Sequence, residues 1–251
     1  MSSYSYSHRI IPYLWDDLKY YPLFRHISLK LDSPVTYRVV RYLLSHPHAS
    51  QAEIAEQASA SRNLVSYVVA QLQASGLAAQ KGRMKLELVD HLRLLEALSI
   101  QRPLSKIMLA SVRTEESSPE KVERQIQNAS THIGFRYALT AFSALSKYTE
   151  YYLSYPTVHV YYDRPTDLLG RIAAGRGDVT MIVLRPDFDS ILADAKRIDG
   201  LNVVEPVQAV IDIFGLGGGG RDGAIKLYDQ EVVKEKFEKN TTGKSVVQRT
   251  A

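Results

Sequence analysis

Between residues 34 and 88 the apolar positions switch from a helical to a strand period, and no other stretch restricts the fold as much. Pro34 suits the first turn of a helix, and Val35, Val39, Val40, Leu43 and Leu44 follow it at three- and four-residue intervals. His46-Pro47-His48 ends that helix. Ser50-Gln51-Ala52-Glu53 has the form of a capping box, in which each of the two end residues satisfies a backbone N–H of the other. A short helix through Ile54, Ala55 and Ala58 follows. After a Ser-Ala-Ser break, a third helix carries Leu64, Val65, Val68, Val69 and Leu72 on its inner face and stops at Gly76. Residues 77–80 and 84–88 then flank Lys81-Gly82-Arg83, a strand–turn–strand pattern with basic residues at its tip.

Two short helices joined by a tight turn can set the second helix in the major groove of DNA. The outer, N-terminal face of the third helix carries Ser61, Arg62, Asn63, Ser66 and Tyr67. Arg and Asn make bidentate contacts to guanine and adenine edges, while Ser and Tyr hold phosphates. Lys81, Arg83 and Lys85 on the hairpin can reach an adjacent phosphate backbone or minor groove, and no acid stands between Ser59 and Leu86. The stretch SQAEIAEQASASRNLVSYVVAQLQASGLAAQKGRMKLEL resembles the winged-helix family, in particular the kind found in MarR-type and related prokaryotic regulators. That resemblance implies a double-stranded DNA partner. The alternative is a winged helix that contacts protein or RNA, with Arg62, Asn63 and Tyr67 covered by another domain.

The chain has 251 residues, 45% hydrophobic and 23% charged, which allows one or two domains with a sizeable core. This balance excludes a disordered chain, a collagen and a long coiled coil. With no cysteine, disulfides, thiolate zinc sites, iron–sulfur clusters and a cysteine nucleophile are excluded. No run approaches the roughly 18 apolar residues of a membrane span, and MSSYSYSHRI has no apolar signal core, so a cytoplasmic location without a membrane partner is expected. The net charge of +4 is too small to name a partner, but its distribution is uneven. Residues 1–100 hold 11 basic and 8 acidic side chains, residues 101–238 hold 17 and 19, and residues 239–251 hold 3 and none.

Residues 1–33 are rich in tyrosine, with Tyr4, Tyr6, Tyr13, Tyr20, Tyr21 and the single tryptophan, Trp15. A short helix from Pro12 to about Tyr20, packing its aromatics on the next domain, is expected there. A helix at 91–98 leads to Gln101-Arg102-Pro103, the best domain boundary, which places the helical reader at 34–100. Residues 104–239 mix predicted strands at 107–112, 135–139, 158–162, 179–184 and 201–204 with helices from 118 to a stop near 128–134, and near 140–148, 166–174, 206–214 and 222–239. That mixture argues for an α/β or α+β domain. Residues 240–251 form a polar basic tail, expected to be disordered. A homodimer is possible, with the 91–98 helix and residues 1–33 as the candidate surfaces.

Several motifs carry no chemistry. Gly215, Gly217 and Gly220 spell G-x-G-x-x-G, but no second strand with an acid follows, so Gly215–Gly220 reads as a flexible loop between helices. Thr242-Gly243-Lys244-Ser245 imitates the end of a P-loop without its first glycine, since position 238 is Glu238. The seven histidines show no metal-ligand spacing, and His46 and His48 flank a helix end. Ser143 lacks the glycines of a nucleophile elbow. Asp163, Asp167, Asp187 and Asp189 are the carboxylates that would hold Mg²⁺ in a nucleotidyltransferase, but no Gly-Ser phosphate-gripping turn precedes them. No catalytic residue, metal or cofactor is therefore expected.

YALTAFSALSKY at 137–148 and VEPVQAVIDIFGLGGGGRDGAIKLYD at 204–229 resemble the C-terminal domain of the AbiEi family, antitoxins of type IV toxin–antitoxin systems and related transcription factors. Ser143, Ala144 and Leu145 match the family's first segment. Gln208, Asp212, Gly219, Gly220, Arg221 and Ala224 match its second. Ala141 and Asp222 stand where the family has glycine. The resemblance implies a winged helix followed by a mixed α/β, nucleotidyltransferase-like domain without working catalytic motifs, an α+β chain overall. It also implies a DNA-binding autorepressor whose toxin is a genetic rather than a physical partner. Arg221, where the glycine run meets a helix, is expected to clamp Asp212.

Overall fold

The computed structural model describes residues 29–150, 155–172 and 174–234. The tyrosine-rich stretch before residue 29, the tail after 239 and the P-loop mimic at 242–245 lie outside the described residues. The fold is mixed α+β. Its first part runs α1 (Pro34–Ser45), β1 (His48–Ser50), α2 (Gln51–Gln57), α3 (Arg62–Ala74), β2 (Ala78–Lys81), β3 (Lys85–Leu88) and α4 (His91–Gln101). β1 and β2 both pair antiparallel with β3, in the order β1-β3-β2. β1 is not marked in the sequence. Its three residues are held by β3, with Ala49 opposite Leu86.

The second part runs β4 (Met108–Arg113), α5 (Pro119–Ile133), β5 (Tyr137–Thr140), α6 (Ala141–Tyr148), β6 (Thr157–Tyr162), α7 (Pro165–Leu169), β7 (Thr180–Leu184), α8 (Ser190–Ala193), β8 (Lys196–Ile198), β9 (Leu201–Val203), α9 (Pro206–Phe214) and α10 (Gly218–Leu227). The strands form one mixed sheet in the order β4-β7-β6-β5-β9-β8. Paired residues share a face, so the register of Thr140 with His159 and Ala138 with Tyr161 sets Thr140, His159 and Tyr161 on one side. Asp212 of α9 meets that side, through hydrogen bonds from Thr140 and Tyr161. α5 covers the other side, where the Tyr137 hydroxyl donates to Gln127 Oε1 at 2.5 Å. The α5 helix ends at Gly134, whose φ of 76° is the left-handed conformation a helix C-terminus favours.

The glycine run corrects an expectation. It is not a loop through Gly220: α10 already starts at Gly218, and Gly220 lies in its first turn. A Cβ on Gly220 would stand 2.8 Å from the Ile213 carbonyl oxygen, so glycine allows α10 to pack closely on α9. The predicted helix at 166–174 is shorter, ending at Leu169, and the edge strand β8 carries no signal in the sequence.

The two parts share one continuous apolar core, and their seam is polar and buried. Arg102, at the expected domain boundary, is the cation of that seam. Its Nε and Nη2 donate to both oxygens of Asp187 at 2.8 and 2.7 Å, and Nη1 donates to Asp212 Oδ1 at 2.9 Å. Asp212 Oδ1 also accepts from Gln208 Nε2 at 2.9 Å, and its Oδ2 accepts from Thr140 Oγ1 at 2.6 Å and Tyr161 OH at 2.9 Å. Both oxygens of Asp212 are thus saturated by donors. Tyr37 of α1 donates to Gln208 at 2.8 Å, stacks on Phe188 and lies under the Arg102 guanidinium. A second arginine, Arg41 of α1, is held by Glu205 at 3.1 Å, by Ser190 at 2.8 Å and by Asp194. Burial pushes the Tyr37 and Tyr161 hydroxyls far up, so both stay neutral donors.

Replacing Arg102 by Met strands two carboxylates in the seam. The expected loss of unfolding free energy is about 3–5 kcal/mol in urea titration, and Arg102→Lys recovers little because a lysine cannot form the two-pronged contact. His159 supplies a second expectation. Burial pushes its imidazole down to about 4. The unfolded chain, with a histidine near 6.5, therefore takes up the proton first. Stability is complete above about pH 6.5 and declines as the pH falls toward about 4. A thermal-midpoint series across that window should flatten in His159→Phe; an unchanged slope refutes this origin.

Candidate nucleic-acid interface

The reader-like face is built on α3. Ser61 caps the helix, its Oγ accepting from the Leu64 N–H at 3.3 Å. Val65, Val68, Val69 and Leu72 then fall on the buried face, while Arg62, Asn63, Ser66 and Tyr67 lie exposed on the other. The expected inner-face residue Leu64 is only partly buried. All five polar residues picked from the sequence thus gather at the N-terminal end of α3, with Ser61 in a capping role.

The turn before α3 is fixed from outside. Ser59 takes a left-handed φ of 47°. Arg38 of α1 donates through Nε to the Ala58 carbonyl at 2.8 Å and through Nη2 to the Ser59 carbonyl at 3.3 Å. These two bonds satisfy carbonyls that the end of α2 leaves open. Sequence reasoning missed Arg38, because a contact across 20 residues leaves no local pattern. α2 itself starts with the anticipated capping box: the Ser50 N–H donates to Glu53 Oε2 at 2.7 Å and the Glu53 N–H to Ser50 Oγ at 3.2 Å. The backbone N–H of Ser50, then its hydroxyl, hold the Glu53 carboxyl below the usual range.

On the hairpin, Gly82 turns the tip with a φ of 66°, and Lys81, Arg83 and Lys85 are all exposed. Lys81, one of the three cations expected to reach a phosphate backbone or minor groove, is paired within the chain. Its Nζ lies 2.6 Å from Glu87 Oε1, and His48 approaches the same oxygen at 3.7 Å. The acid that neutralises it sits on β3, just beyond the stretch without acids. Arg83 and Lys85 are the better candidates for backbone contact. A recess of about 400 Å³ separates the start of α2 from the hairpin, lined by Ser50, Gln51, Gln80, Arg83 and Met84.

The second part places its singled-out residues differently. Arg221 does not clamp Asp212, which is the correction with most consequence. Arg221 lies near the surface, 3.4 Å from Glu96 Oε1 and over the Phe214 ring, whereas Asp212 is buried against Arg102. Asp163 pairs with Arg136 at 3.3 Å, Asp187 pairs with Arg102, and Asp167 and Asp189 are exposed. Among the described residues no group of three His, Cys, Asp or Glu side chains is placed to hold a metal. The turn from β5 into α6 is sharp, with Ala141 buried at a φ of 53°. Its side chain is a methyl, and Ser143 is buried inside α6. His46 stacks on Tyr42 at the end of α1. Among the described residues no helix is long and apolar enough to cross a membrane.

If Ser61 serves α3 as its cap, Ser61→Ala should lower unfolding free energy by about 1 kcal/mol, whereas Ser66→Ala, on the same exposed face but without that bond, should leave it nearly unchanged. Equal stabilities in urea titration would remove the capping role. No family model, curated protein or solved structure matches the chain, so the meaning of this face rests on its residues and their arrangement.

Proposed function

We propose that the chain is a sequence-specific regulator of transcription that reads double-stranded DNA through a winged helix at residues 34–88. The observation that carries this reading is the division of α3: one face is locked into the core by Val65, Val68, Val69 and Leu72, and the other presents Arg62, Asn63, Ser66 and Tyr67 at its N-terminal end. In a helix-turn-helix plan that end meets the base edges. Arg62 and Asn63 carry the forked donors and acceptors that tell guanine and adenine apart in the major groove. The hydroxyls of Ser66 and Tyr67 fix the helix on phosphates. Arg83 and Lys85, beside the exposed hairpin tip, contact the neighbouring backbone.

The second part acts as a nucleotidyltransferase-like domain that holds and orients the reader instead of supplying chemistry. An alanine at its strand-to-helix turn and the engagement of Asp163 and Asp187 by arginines support this role. The resemblance to AbiEi antitoxins extends the proposal: the target is the chain's own promoter, and the partner toxin is linked to it genetically.

The test uses fluorescence anisotropy with two duplexes, the DNA upstream of the chain's own gene and a random sequence, over a salt series. Arg62→Ala should cost about 1–3 kcal/mol on the preferred duplex and narrow the gap to the random one. Arg83→Ala should weaken both duplexes alike and reduce the salt slope by about 1. Native affinity in both variants, or no duplex binding by the parent protein at low salt, overturns the reading. Retained binding to single-stranded RNA alone would point to the RNA-binding alternative.

A further inference from the structure

A cavity of about 300 Å³ opens at the seam, where α1 and the end of α2 meet α8 and the residue that precedes α9. One face of α1 lines it, with Arg38, Arg41, Tyr42 and Ser45 at three- and four-residue spacing. Ser190, Asp194 and Glu205 contribute from the sheet part. The charges of this lining are matched unequally. Arg41, whose side chain is 8% exposed, meets two acids: its Nε donates to Glu205 Oε1 at 3.1 Å and its Nη2 to Asp194. One negative charge is therefore in excess beside it. Arg38 is the reverse case. Its Nε and Nη2 donate to the Ala58 and Ser59 carbonyls at 2.8 and 3.3 Å, and among the described residues no carboxylate pairs with it. Carbonyls leave its charge in place. A guanidinium has five N–H groups, so both on Nη1 and one on Nη2 are still unspent. Positions three apart on a helix stand about 5–6 Å apart at Cβ, so the positive and the negative excess lie side by side.

We propose that this cavity binds a small zwitterion of the α-amino-acid class. The ligand carboxylate takes the unspent N–H groups of Arg38, whose forked donors suit two oxygens. The ligand ammonium donates to Asp194 and Glu205, since a carboxylate accepts more hydrogen bonds than each gives to Arg41. A plain anion would meet two carboxylates, and a plain cation would leave Arg38 unanswered, so only a ligand with both charges satisfies both poles. The size agrees. At about 30 Å³ per water the space holds about ten waters, or a molecule of roughly that many non-hydrogen atoms. The floor is set before any ligand arrives, because Arg41 is also held by Ser190, to which Nη1 donates at 2.8 Å. None of the residues assigned to DNA contact lines the cavity, so the inference stands apart from that reading. Arg38 nonetheless joins the cavity to the turn before α3, because the same guanidinium holds the carbonyls of that turn.

The test titrates the common amino acids, one at a time, into the full-length protein by isothermal calorimetry at low salt. The expected result is saturable binding of at least one of them, with one molecule per chain. For that amino acid, the analogue without the amino group and the analogue without the carboxylate should each bind about tenfold or more weakly, because each loses hydrogen bonds to a charged group. Arg38→Gln should weaken binding to the same extent. Since Arg38 also supports a turn, Gln57→Trp supplies an independent variant. Gln57 is an exposed residue of the lining, and an indole there fills space without removing a charge. This variant should lose binding while keeping the thermal midpoint of the parent. If no amino acid binds at millimolar concentration, the proposal fails, as it does if folded Gln57→Trp binds undiminished. Equal binding by the analogue without the amino group would make this a plain anion site and equally overturn it.

Discussion

The buried contact of Arg102 with Asp212 and Asp187 is the interaction on which the arrangement of this molecule depends. A charge removed from water is tolerable only when every one of its hydrogen-bonding positions is matched. Here the matching groups come from six places in the chain: Tyr37 in α1, Arg102 after α4, Thr140 at the end of β5, Tyr161 in β6, Asp187 after β7, and Gln208 with Asp212 in α9. Displacing any one of these elements would leave a buried donor or acceptor without its partner. The seam is therefore specified by polar geometry as well as by apolar contact, and the helical part cannot drift on the sheet part.

The same seam sorts the charges. Arg41 and Arg102, both from the helical part, turn inward and are neutralised by Asp194, Glu205, Asp187 and Asp212 of the sheet part. Arg62, Arg83 and Lys85 remain exposed, on α3 and the hairpin. A net charge of +4 spread evenly would create little field. Of the outer cations, Lys81 is paired with Glu87, and Lys85 acts electrostatically on Glu53. A rigid scaffold beneath an exposed, partly basic helix lets its outer side chains keep a fixed geometry.

Much of the reader-like face was legible because its causes are local. Periodicity placed the buried valines of α3, the Ser50–Glu53 pair announced the start of α2, and Gly76 and Gly82 marked turns that need left-handed backbone. The misses have a common cause. β1 and β8 are three residues each and exist only because β3 and β9 supply their partners. α10 begins in glycines, which disfavour helices, and its closeness to α9 at Gly220 overrides that preference. Arg38 and Arg102 act at separations of 20 and 110 residues, beyond any spacing rule.

The sequence by itself determined the order of the longer helices and strands, the two faces of α3 and the basic hairpin tip, because periodicity, capping and turn chemistry act within a few residues. Tertiary structure alone decided which cation meets Asp212. Sequence proximity to the glycine run favoured Arg221, nine residues away. The fold instead buries Arg102, because burying a carboxylate requires a cation that can be buried with it, and Arg221, at the surface beside Glu96, is not.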